Sequence, residues 1–256
     1  MILRIFQPDE GQVIVLGKAK GNVADDRLGY LPEERGLYKR MRVREILKYY
    51  SRLKGYFNCT AEINSWLERL GATEWANKRI DALSKGMAQK VQFIAAVIAK
   101  PQLVILDEPF TGLDPVNMET LKSAILSLKN NGTTIIFSTH DMSMAEKMCD
   151  TIFMIFQGHK VLDGTLESIQ SQYPADRARV LLGETEGTPE LTGVLESSRA
   201  GAFWEFSLER PEDPNFYLRQ LIAKHKVQSF QMVRPSLHDI FIRIAGPDAD
   251  SIEVAK

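Results

Sequence analysis

Apolar and polar positions follow one another in a way that is typical of alternating strands and helices. Four short runs rich in Ile, Val, Leu and Phe predict strands, at Gln12–Leu16, Leu103–Leu106, Thr133–Ser138 and Thr151–Phe156. The middle two are almost continuously apolar, as expected of parallel strands that are buried on both faces. Helices are predicted at Val43–Lys54, Thr60–Leu70, Met87–Lys100 and Pro115–Asn130. This order predicts an α/β fold with a mostly parallel sheet.

The pattern changes near Ser171, where Pro, Gly and acidic residues become frequent, as in linkers and loops. Shorter strands are predicted beyond it, at Arg179–Leu182, Phe203–Leu208 and Val227–Val233, with helices near Asn215–Lys224 and Ser236–Ile244. We therefore expect an α/β domain at residues 1–168 and a small α+β accessory domain at residues 169–256.

Composition narrows the class of protein. The 256 residues carry a formal net charge of -1 and are 44% hydrophobic, which is typical of a globular protein and gives no reason to expect nucleic acid. Cys59 and Cys149 lie far apart and form no CxxC pair, so reduced thiols in a cytosol are expected. The longest apolar stretches are shorter than the ~20 residues that a bilayer span requires.

An acidic pair ends one of the predicted strands. The segment LVILDEP places Asp107 and Glu108 directly after Leu103–Leu106. Ligands of open α/β sheets bind beyond the carboxyl ends of strands, so these carboxylates are expected to face a site. Asp107 suits a direct or water-mediated Mg²⁺ contact, and Glu108 is placed to orient or deprotonate an attacking water. The simpler interpretation is a strand that ends in solvated acids.

Two further segments carry candidate chemistry. In LSKGM, Ser84 can cap the helix that follows, and Gly86 lets a ligand approach a helix N-terminus, where anions bind. In STH, His140 stands at a predicted strand end, where a histidine could hydrogen-bond a γ-phosphate and the water beside Glu108. A Ser/His/Asp triad is not expected, because strand neighbours point to opposite faces and no GxSxG turn occurs. Taken alone, a capped helix or a structural histidine would explain each segment.

The order and spacing of these segments resemble one family. LSKGM resembles the signature motif of ABC-transporter ATPases, LVILDE their Walker B motif, TGLDP their D-loop and STH their switch histidine. YLPEERGLY, at residues 30–38, is similar to the Q-loop, with Glu33 where the family usually has glutamine. Lys85 and the segment PSLHDIF resemble the branch that exports sodium, drugs or antibiotics, whose ATPases carry a small C-terminal domain. The resemblance covers nearly the whole chain.

The resemblance implies the cofactors ATP and Mg²⁺ and a role for each acidic residue near them. Glu108 would be the catalytic base, and His140 would sense the γ-phosphate. Asp107 would act on Mg²⁺, helped by Glu33 at the nucleotide if glutamate can replace the usual glutamine.

The resemblance also implies partners. Ser84, Lys85 and Gly86 would contact ATP bound to a second ABC ATPase subunit, in a homo- or heterodimer, and Asp114 would link the two sites. Export would pass through a separate transmembrane permease subunit. The chain would be cytoplasmic and peripheral on the inner face of the cell membrane.

One element of the family is not found in the sequence. Phosphoryl transfer in this class needs a GxxxxGK[ST] loop, whose backbone amides and lysine hold the phosphates. The nearest segment, GQVIVLGKA from Gly11 to Ala19, has glycines one residue too far apart and no hydroxyl residue after the lysine. We therefore expect a P-loop NTPase-like, mostly parallel sheet with a helical signature subdomain that lacks the N-terminal strands and the P-loop.

Two explanations for the missing loop stay open, an internal start or gene-model error and a truly shortened chain. In the second case we expect no tight ATP binding by the chain alone, which could then be a catalytically silent dimerisation or regulatory module. A soluble ABC ATPase that works on DNA or ribosomes is disfavoured by the near-neutral charge and the single ATPase unit.

A basic segment follows the Q-loop-like residues. Arg35–Lys54 holds eight basic residues and a single acid, Glu45. A solvated helix face is the simpler interpretation. The alternative places the segment beside the membrane, because in this family the residues after the Q-loop face the transmembrane partner.

Overall fold

The computed structural model of the chain describes residues 1–17, 26–34, 36–183 and 187–246. The chain divides into two compact units, Met1–His140 and Asp141–Lys256, which we call unit 1 and unit 2. The domain boundary predicted after residue 168 stays a prediction.

Unit 1 contains a parallel three-stranded sheet, with β1 at Leu28–Leu31, β2 at Leu103–Asp107 and β3 at Thr134–Ser138. The strand order is β1-β2-β3, so β2 is central, and Leu106 lies opposite Leu31 on one side and Phe137 on the other. The predicted parallel α/β fold is confirmed.

Two strand expectations for unit 1 are wrong. Residues Gln12–Leu16 form no strand, and Ile14 is 59% exposed. This run is bounded by Gly11 and Gly17, both at a φ of 77°, a turn conformation that interrupts extended chain. The run Thr133–Ser138 forms β3 but is not buried on both faces, since Ile136 is 43% exposed at the edge of the three-stranded sheet.

The predicted helices of unit 1 are confirmed, as α1 at Val43–Leu53, α2 at Thr60–Arg69, α3 at Lys85–Val97 and α4 at Pro115–Asn130. Short 3₁₀ turns at Thr73–Trp75 and Ile80–Ala82 join α2 to α3. Helix α3 begins before the predicted Met87 because Ser84 Oγ accepts a hydrogen bond from Met87 N at 3.3 Å. A serine that does this satisfies one of the unpaired amides of the first turn.

Helix α3 lies in the core of unit 1. Ten of its residues are buried, from Ala88 to Val97, so it is covered on all sides rather than along one stripe. Phe93 packs edge-to-face on Trp66 of α2, with ring centroids 5.7 Å apart. Lys90 is also buried and donates to Leu70 O, at the end of α2, over 2.9 Å. Helices α1, α2 and α3 thus pack against one another within unit 1.

Unit 2 begins with α5 at Met142–Met148, the antiparallel hairpin of β4 at Ile152–Phe156 and β5 at His159–Gly164, and α6 at Leu166–Gln170. A four-stranded antiparallel sheet follows, with β6 at Arg177–Leu182, β7 at Val194–Ala200, β8 at Phe203–Leu208 and β9 at Val227–Val233, in the order β7-β8-β6-β9. Helices α7 at Pro214–Lys224 and α8 at Leu237–Ala245 complete this part. The predicted α+β character is confirmed, although β5, β7 and the short helices α5 and α6 were not anticipated.

One face of this sheet packs on α7. Tyr217 is fully buried, and its hydroxyl donates to Gly193 O at 2.8 Å while it accepts from Arg210 N at 3.0 Å. Helix α8 begins with a capping box, in which Ser236 and Asp239 each hydrogen-bond the other's backbone N–H. Arg177 lies 3.0 Å from the Asp239 carboxylate and so ties β6 to the start of α8.

Candidate functional site

Three loops leave the same edge of the unit 1 sheet. Because β1, β2 and β3 are parallel, their carboxyl ends meet at one edge. Glu33 lies two residues beyond β1, Asp107 ends β2, and His140 lies two residues beyond β3. Asp107 and His140 therefore follow strand ends as expected, whereas no strand was predicted directly before Glu33. Ligands of open parallel sheets bind at such an edge.

Glu108 and His140 are in direct contact. The Glu108 Oε1 atom accepts from His140 N at 2.8 Å and lies 2.7 Å from His140 Nδ1. The carboxylate is largely covered, at 17% exposure, whereas the imidazole is 85% exposed. His140 thus contacts the carboxylate through its Oε1 atom, while most of the imidazole ring is exposed to solvent.

The second oxygen of Glu108 has its own partners. Thr111 Oγ1 lies 3.4 Å from Oε2, and Thr139 Oγ1 lies 3.5 Å from it. The Glu108 backbone has a φ of 44°, a left-handed conformation that costs a non-glycine residue about 1–3 kcal/mol. Its N–H donates to Ser138 O at 3.1 Å, which continues the β2–β3 pairing beyond the strand. Backbone and side-chain bonds together hold this strained residue in place.

The contact with Glu108 determines what the His140 ring can donate. A carboxylate only accepts hydrogen bonds, so His140 Nδ1 is the donor in this pair. A neutral ring then has an unprotonated Nε2, which can accept but not donate. The ring can donate to Glu108 and to an anion at the same time only as the imidazolium.

Asp107 is bonded across to the neighbouring strand. Ser138 Oγ donates to the Asp107 carboxylate. Burial, and secondly the Asp107 charge, raise the pKa of the Tyr30 hydroxyl above its usual value, so Tyr30 stays neutral near this carboxylate. Tyr30 and Asp107 lie on the same face of the sheet, because Tyr30 pairs with Ile105, two residues before Asp107.

The acidic residues fit a magnesium ion whose remaining ligands are phosphate oxygens and water. Among the described residues, no group of three or more His, Cys, Asp or Glu side chains is arranged to hold a metal ion. Mg²⁺ is commonly bound through one or two carboxylates together with substrate phosphates and water. Asp107 is half-buried at the sheet edge and Glu33 is exposed beyond the neighbouring strand, which matches that way of binding.

The LSKGM segment forms the N-terminus of α3. Ser84 is the capping residue, Lys85 is exposed in the first turn, and Gly86 is half-buried. A Cβ atom at Gly86 would lie 3.4 Å from Leu113 Cδ2 and 3.6 Å from Gly112 O. The N-terminus of α3 therefore packs beside the TGLDP segment, with free backbone amides of its first turn at the surface.

Asp114 is exposed and caps helix α4. Its Oδ1 atom accepts from Asn117 N at 3.0 Å. Hydrogen bonds from the Asn117 backbone and side chain hold the pKa of Asp114 below its usual value, so the group is anionic at neutral pH. The structure thus gives this residue a capping contact, and its link to a second subunit stays a prediction.

Four residues of the site escaped the sequence analysis. Ser138, Thr139 and Thr111 were quoted inside motifs without a role, yet they donate to the two carboxylates. A signal was available, since these hydroxyl residues stand in TGLDP, just after Glu108, and in STH, just before His140. Tyr30 gave no signal, because only the strand register places it near Asp107.

The segment that imitates a phosphate loop and the basic segment Arg35–Lys54 each include residues that the structure does not describe. Residues 18 and 19 of the imperfect phosphate loop, and Arg35 of the basic segment, lie outside the described residues. In the rest of that segment, the side chains of Lys39, Arg40, Arg42 and Arg52 are exposed. None of the described helices is long and apolar enough to cross a membrane.

Comparison with known proteins finds two family models that match this chain. The family model described as "ABC transporter" matches residues 1–111. A second model, for the C-terminal domain of ATP-binding proteins like DrrA1-3, matches residues 164–245.

Individual relatives extend this likeness over most of the chain. An uncharacterized ABC transporter ATP-binding protein of Bacillus subtilis, YhaQ, is 39% identical over 96% of this chain and 84% of its own length. The Nod factor export ATP-binding protein I of Rhizobium etli is 31% identical over 98% of this chain and 80% of its own length. A solved ATP-binding subunit of an ABC transporter is 29% identical with a TM-score of 0.62, over 67% of this chain and 73% of that one.

The chain therefore belongs to the family of ABC transporter ATP-binding proteins, and its relatives include export proteins. Members of this family generally use ATP with Mg²⁺, dimerise and pair with transmembrane permease subunits.

Proposed function

We propose that this protein hydrolyses ATP and so energises export through a separate membrane subunit. The observation that supports this most is the contact of Glu108 with His140 at the carboxyl edge of the parallel sheet. Glu108 is the general base that takes a proton from the attacking water. His140 donates to the γ-phosphate through Nε2 when it is protonated, and it orients Glu108 through Nδ1.

The neighbouring acids serve the metal. Mg²⁺ would supply positive charge that neutralises the charge developing on the phosphates during transfer. Asp107 would hold this ion directly or through water, and Glu33 would help to hold it from the loop after β1. The Ser138 hydroxyl keeps the Asp107 carboxylate at the strand end.

The α3 N-terminus serves a second subunit. Ser84, Lys85 and Gly86 contact ATP that is held mainly by that subunit. The phosphates of this ATP lie against the backbone amides and the positive dipole end of helix α3. Asp114 directly follows Leu113, whose side chain lies next to Gly86. We propose that Asp114 links the contact with the second subunit to the chain's own site. The second subunit is another ABC ATPase, the same chain or a different one.

The membrane subunit decides the location and the cargo. We place the protein in the cytoplasm, on the inner face of the cell membrane, bound to a permease. The exposed cations Lys39, Arg40, Arg42 and Arg52 support a contact on that side. Residues 1–168 form the ATPase domain of this proposal, and residues 169–256 form its accessory domain.

Mutation of the base tests the proposal in the assembled transporter. Glu108→Gln keeps the size of the side chain and removes its basicity, so kcat should fall about 10²- to 10⁴-fold. The matched control is Glu119→Gln, which neutralises an exposed glutamate of α4 away from the site. A Glu108→Gln rate within twofold of the control would reject this role.

A catalytically silent module is the second candidate, because no GxxxxGK[ST] segment occurs in these residues. In that case the chain donates only Ser84 and Gly86 to the ATP of a partner. Ser84→Arg would then abolish activity of the mixed complex, whereas Glu108→Gln would leave it unchanged. Equal sensitivity to both substitutions would reject the silent module.

A further inference from the structure

Helix α3 carries two buried glutamines that bond loops rather than helices. Gln89 is 3% exposed and Gln92 is 4% exposed. The equally buried Lys90 has a structural explanation, since it bonds the end of α2. The two glutamines instead reach the loops that carry acidic residues of the site.

Gln92 bonds both sides of Glu33. Its Nε2 atom donates to Pro32 O at 2.9 Å and to Glu34 O at 3.3 Å. One amide group therefore holds the carbonyl groups of the two residues on either side of Glu33. This loop follows β1 directly, so the bonds fix where Glu33 stands relative to α3.

Gln89 makes a similar bond next to Glu108. Its Nε2 atom donates over 3.1 Å to the carbonyl oxygen of Pro109, the residue after Glu108. The same helix begins at Ser84 and Gly86. Both loops at the sheet edge are thus bonded to the element whose N-terminus meets a partner's nucleotide under the proposed function.

Close packing brings α3 within reach of these loops. A Cβ atom at Gly29 of β1 would lie only 2.4 Å from Ala96 O of α3. The helix therefore rests directly on the backbone of β1 near the point where the Glu33 loop leaves the strand.

Stability alone does not explain the choice of glutamine at position 92. The Gln92 Oε1 atom is buried with no hydrogen-bond partner in the part of the chain that the structure describes. This unmatched acceptor destabilises the fold and so offsets the two hydrogen bonds that Nε2 donates. The effect that remains is local, at the loop that Nε2 holds.

We propose that Gln92 is a positioning residue for Glu33 and that Gln89 is one for the Glu108 loop, which makes α3 a rigid link between these loops and the helix N-terminus. The functional part rests on the proposed ATPase activity. The positional part concerns the folded chain alone.

The positional part is tested by amide ¹⁵N relaxation of the purified chain. Gln92→Met keeps length and removes the donor, so the order parameters of the Glu33 and Glu34 amides should fall from about 0.85 to below about 0.6. The amides of residues 110–113 should not change. The melting temperature should change little, because the loss of two hydrogen bonds and the removal of an unmatched acceptor oppose each other, whereas a purely structural role predicts a clear decrease.

Gln89→Met is the matched variant three residues away. It should loosen residues 110–113 and leave Glu33 and Glu34 ordered. The positional proposal is overturned if either variant loosens both loops equally, if neither loosens its own loop, or if Gln92→Met lowers the melting temperature together with order throughout unit 1.

The assembled transporter tests the functional part. Gln92→Met should raise the Mg²⁺ concentration for half-maximal ATPase several-fold with kcat retained at saturating Mg²⁺. Gln89→Met should lower kcat several-fold with the Mg²⁺ dependence retained. Identical effects of the two variants would overturn the functional part. An inactive wild-type complex would instead reject the proposed function, and the relaxation result would still decide the positional part.

Discussion

Replacing Gly29 by alanine should destabilise unit 1, because α3 lies directly against the backbone of β1 at this position. The added methyl group would meet Ala96 O at 2.4 Å, Pro101 Cγ at 3.0 Å and Val104 Cγ2 at 3.2 Å. The closest of these atoms belongs to the helix backbone, which cannot turn aside as a flexible side chain can. The helix would have to shift away from the strand.

The expected cost follows from two opposing effects. Overpacking a well-filled core typically costs about 1–3 kcal/mol. Alanine recovers about 0.5–1 kcal/mol relative to glycine within a strand, because the unfolded chain loses freedom. The net loss is about 0.5–2 kcal/mol, which corresponds to a melting temperature lower by roughly 1–8 °C for a protein of this size.

Thermal and urea unfolding of both glycine variants provide the assay. Gly36→Ala is the control, since a Cβ atom there meets nothing within 4 Å and the backbone needs no left-handed conformation. The control should unfold within about 1 kcal/mol of wild type. If Gly29→Ala were as stable as Gly36→Ala, the close approach of α3 to β1 would be refuted.

Three further substitutions test individual contacts. Ser84→Ala removes the cap of α3 and should cost about 1 kcal/mol in urea unfolding, whereas Ser84→Asp should retain most of it. Burial opposes ionisation of Asp239, but hydrogen bonds from Ser236 and the Arg177 charge win and hold its pKa below the usual value. The stabilisation is therefore present above about pH 4 and lost as the pH falls through the folded pKa, so the wild-type advantage over Asp239→Asn should shrink in acid. Burial lowers the pKa of Lys90 in the folded chain. Between this folded pKa and about 10.5, the unfolded chain binds more protons than the folded chain. The free energy of unfolding of wild type should therefore rise with pH in this range relative to that of Lys90→Met. If the free energy of unfolding of Asp239→Asn or of Lys90→Met had the same pH dependence as that of wild type, the corresponding assignment would be contradicted.

Local sequence signals sufficed where an element carries its own start and stop. Helix α4 begins after Asp114 with proline in its first turn and ends at Asn130, which are the predicted bounds. Strand β1 was missed because LGYL is short and contains a glycine. Its identity depends on pairing with β2, which lies about 75 residues further along. The same dependence explains the error at Gln12–Leu16, whose apolar residues join none of the sheets formed by the described residues.

The candidate site was predictable as a set of strand ends but not as a set of contacts. Parallel strands bring their carboxyl ends together, so the positions of Asp107 and His140 followed from the apolar runs before them. The left-handed backbone of Glu108 and its bonds to His140 arise from the pairing of β2 with β3. Gln92 looks like any polar residue of a helix until the tertiary packing buries it.

The central claim is that Glu108 and His140 carry out ATP hydrolysis in the assembled transporter. The most direct measurement is the identity of the nucleotide bound to a Glu108→Gln complex after incubation with Mg²⁺ and ATP. The side chains that hold nucleotide remain in this variant and only the base is lost, so we predict that the bound nucleotide stays ATP. Recovery of ADP at the wild-type rate would contradict the account.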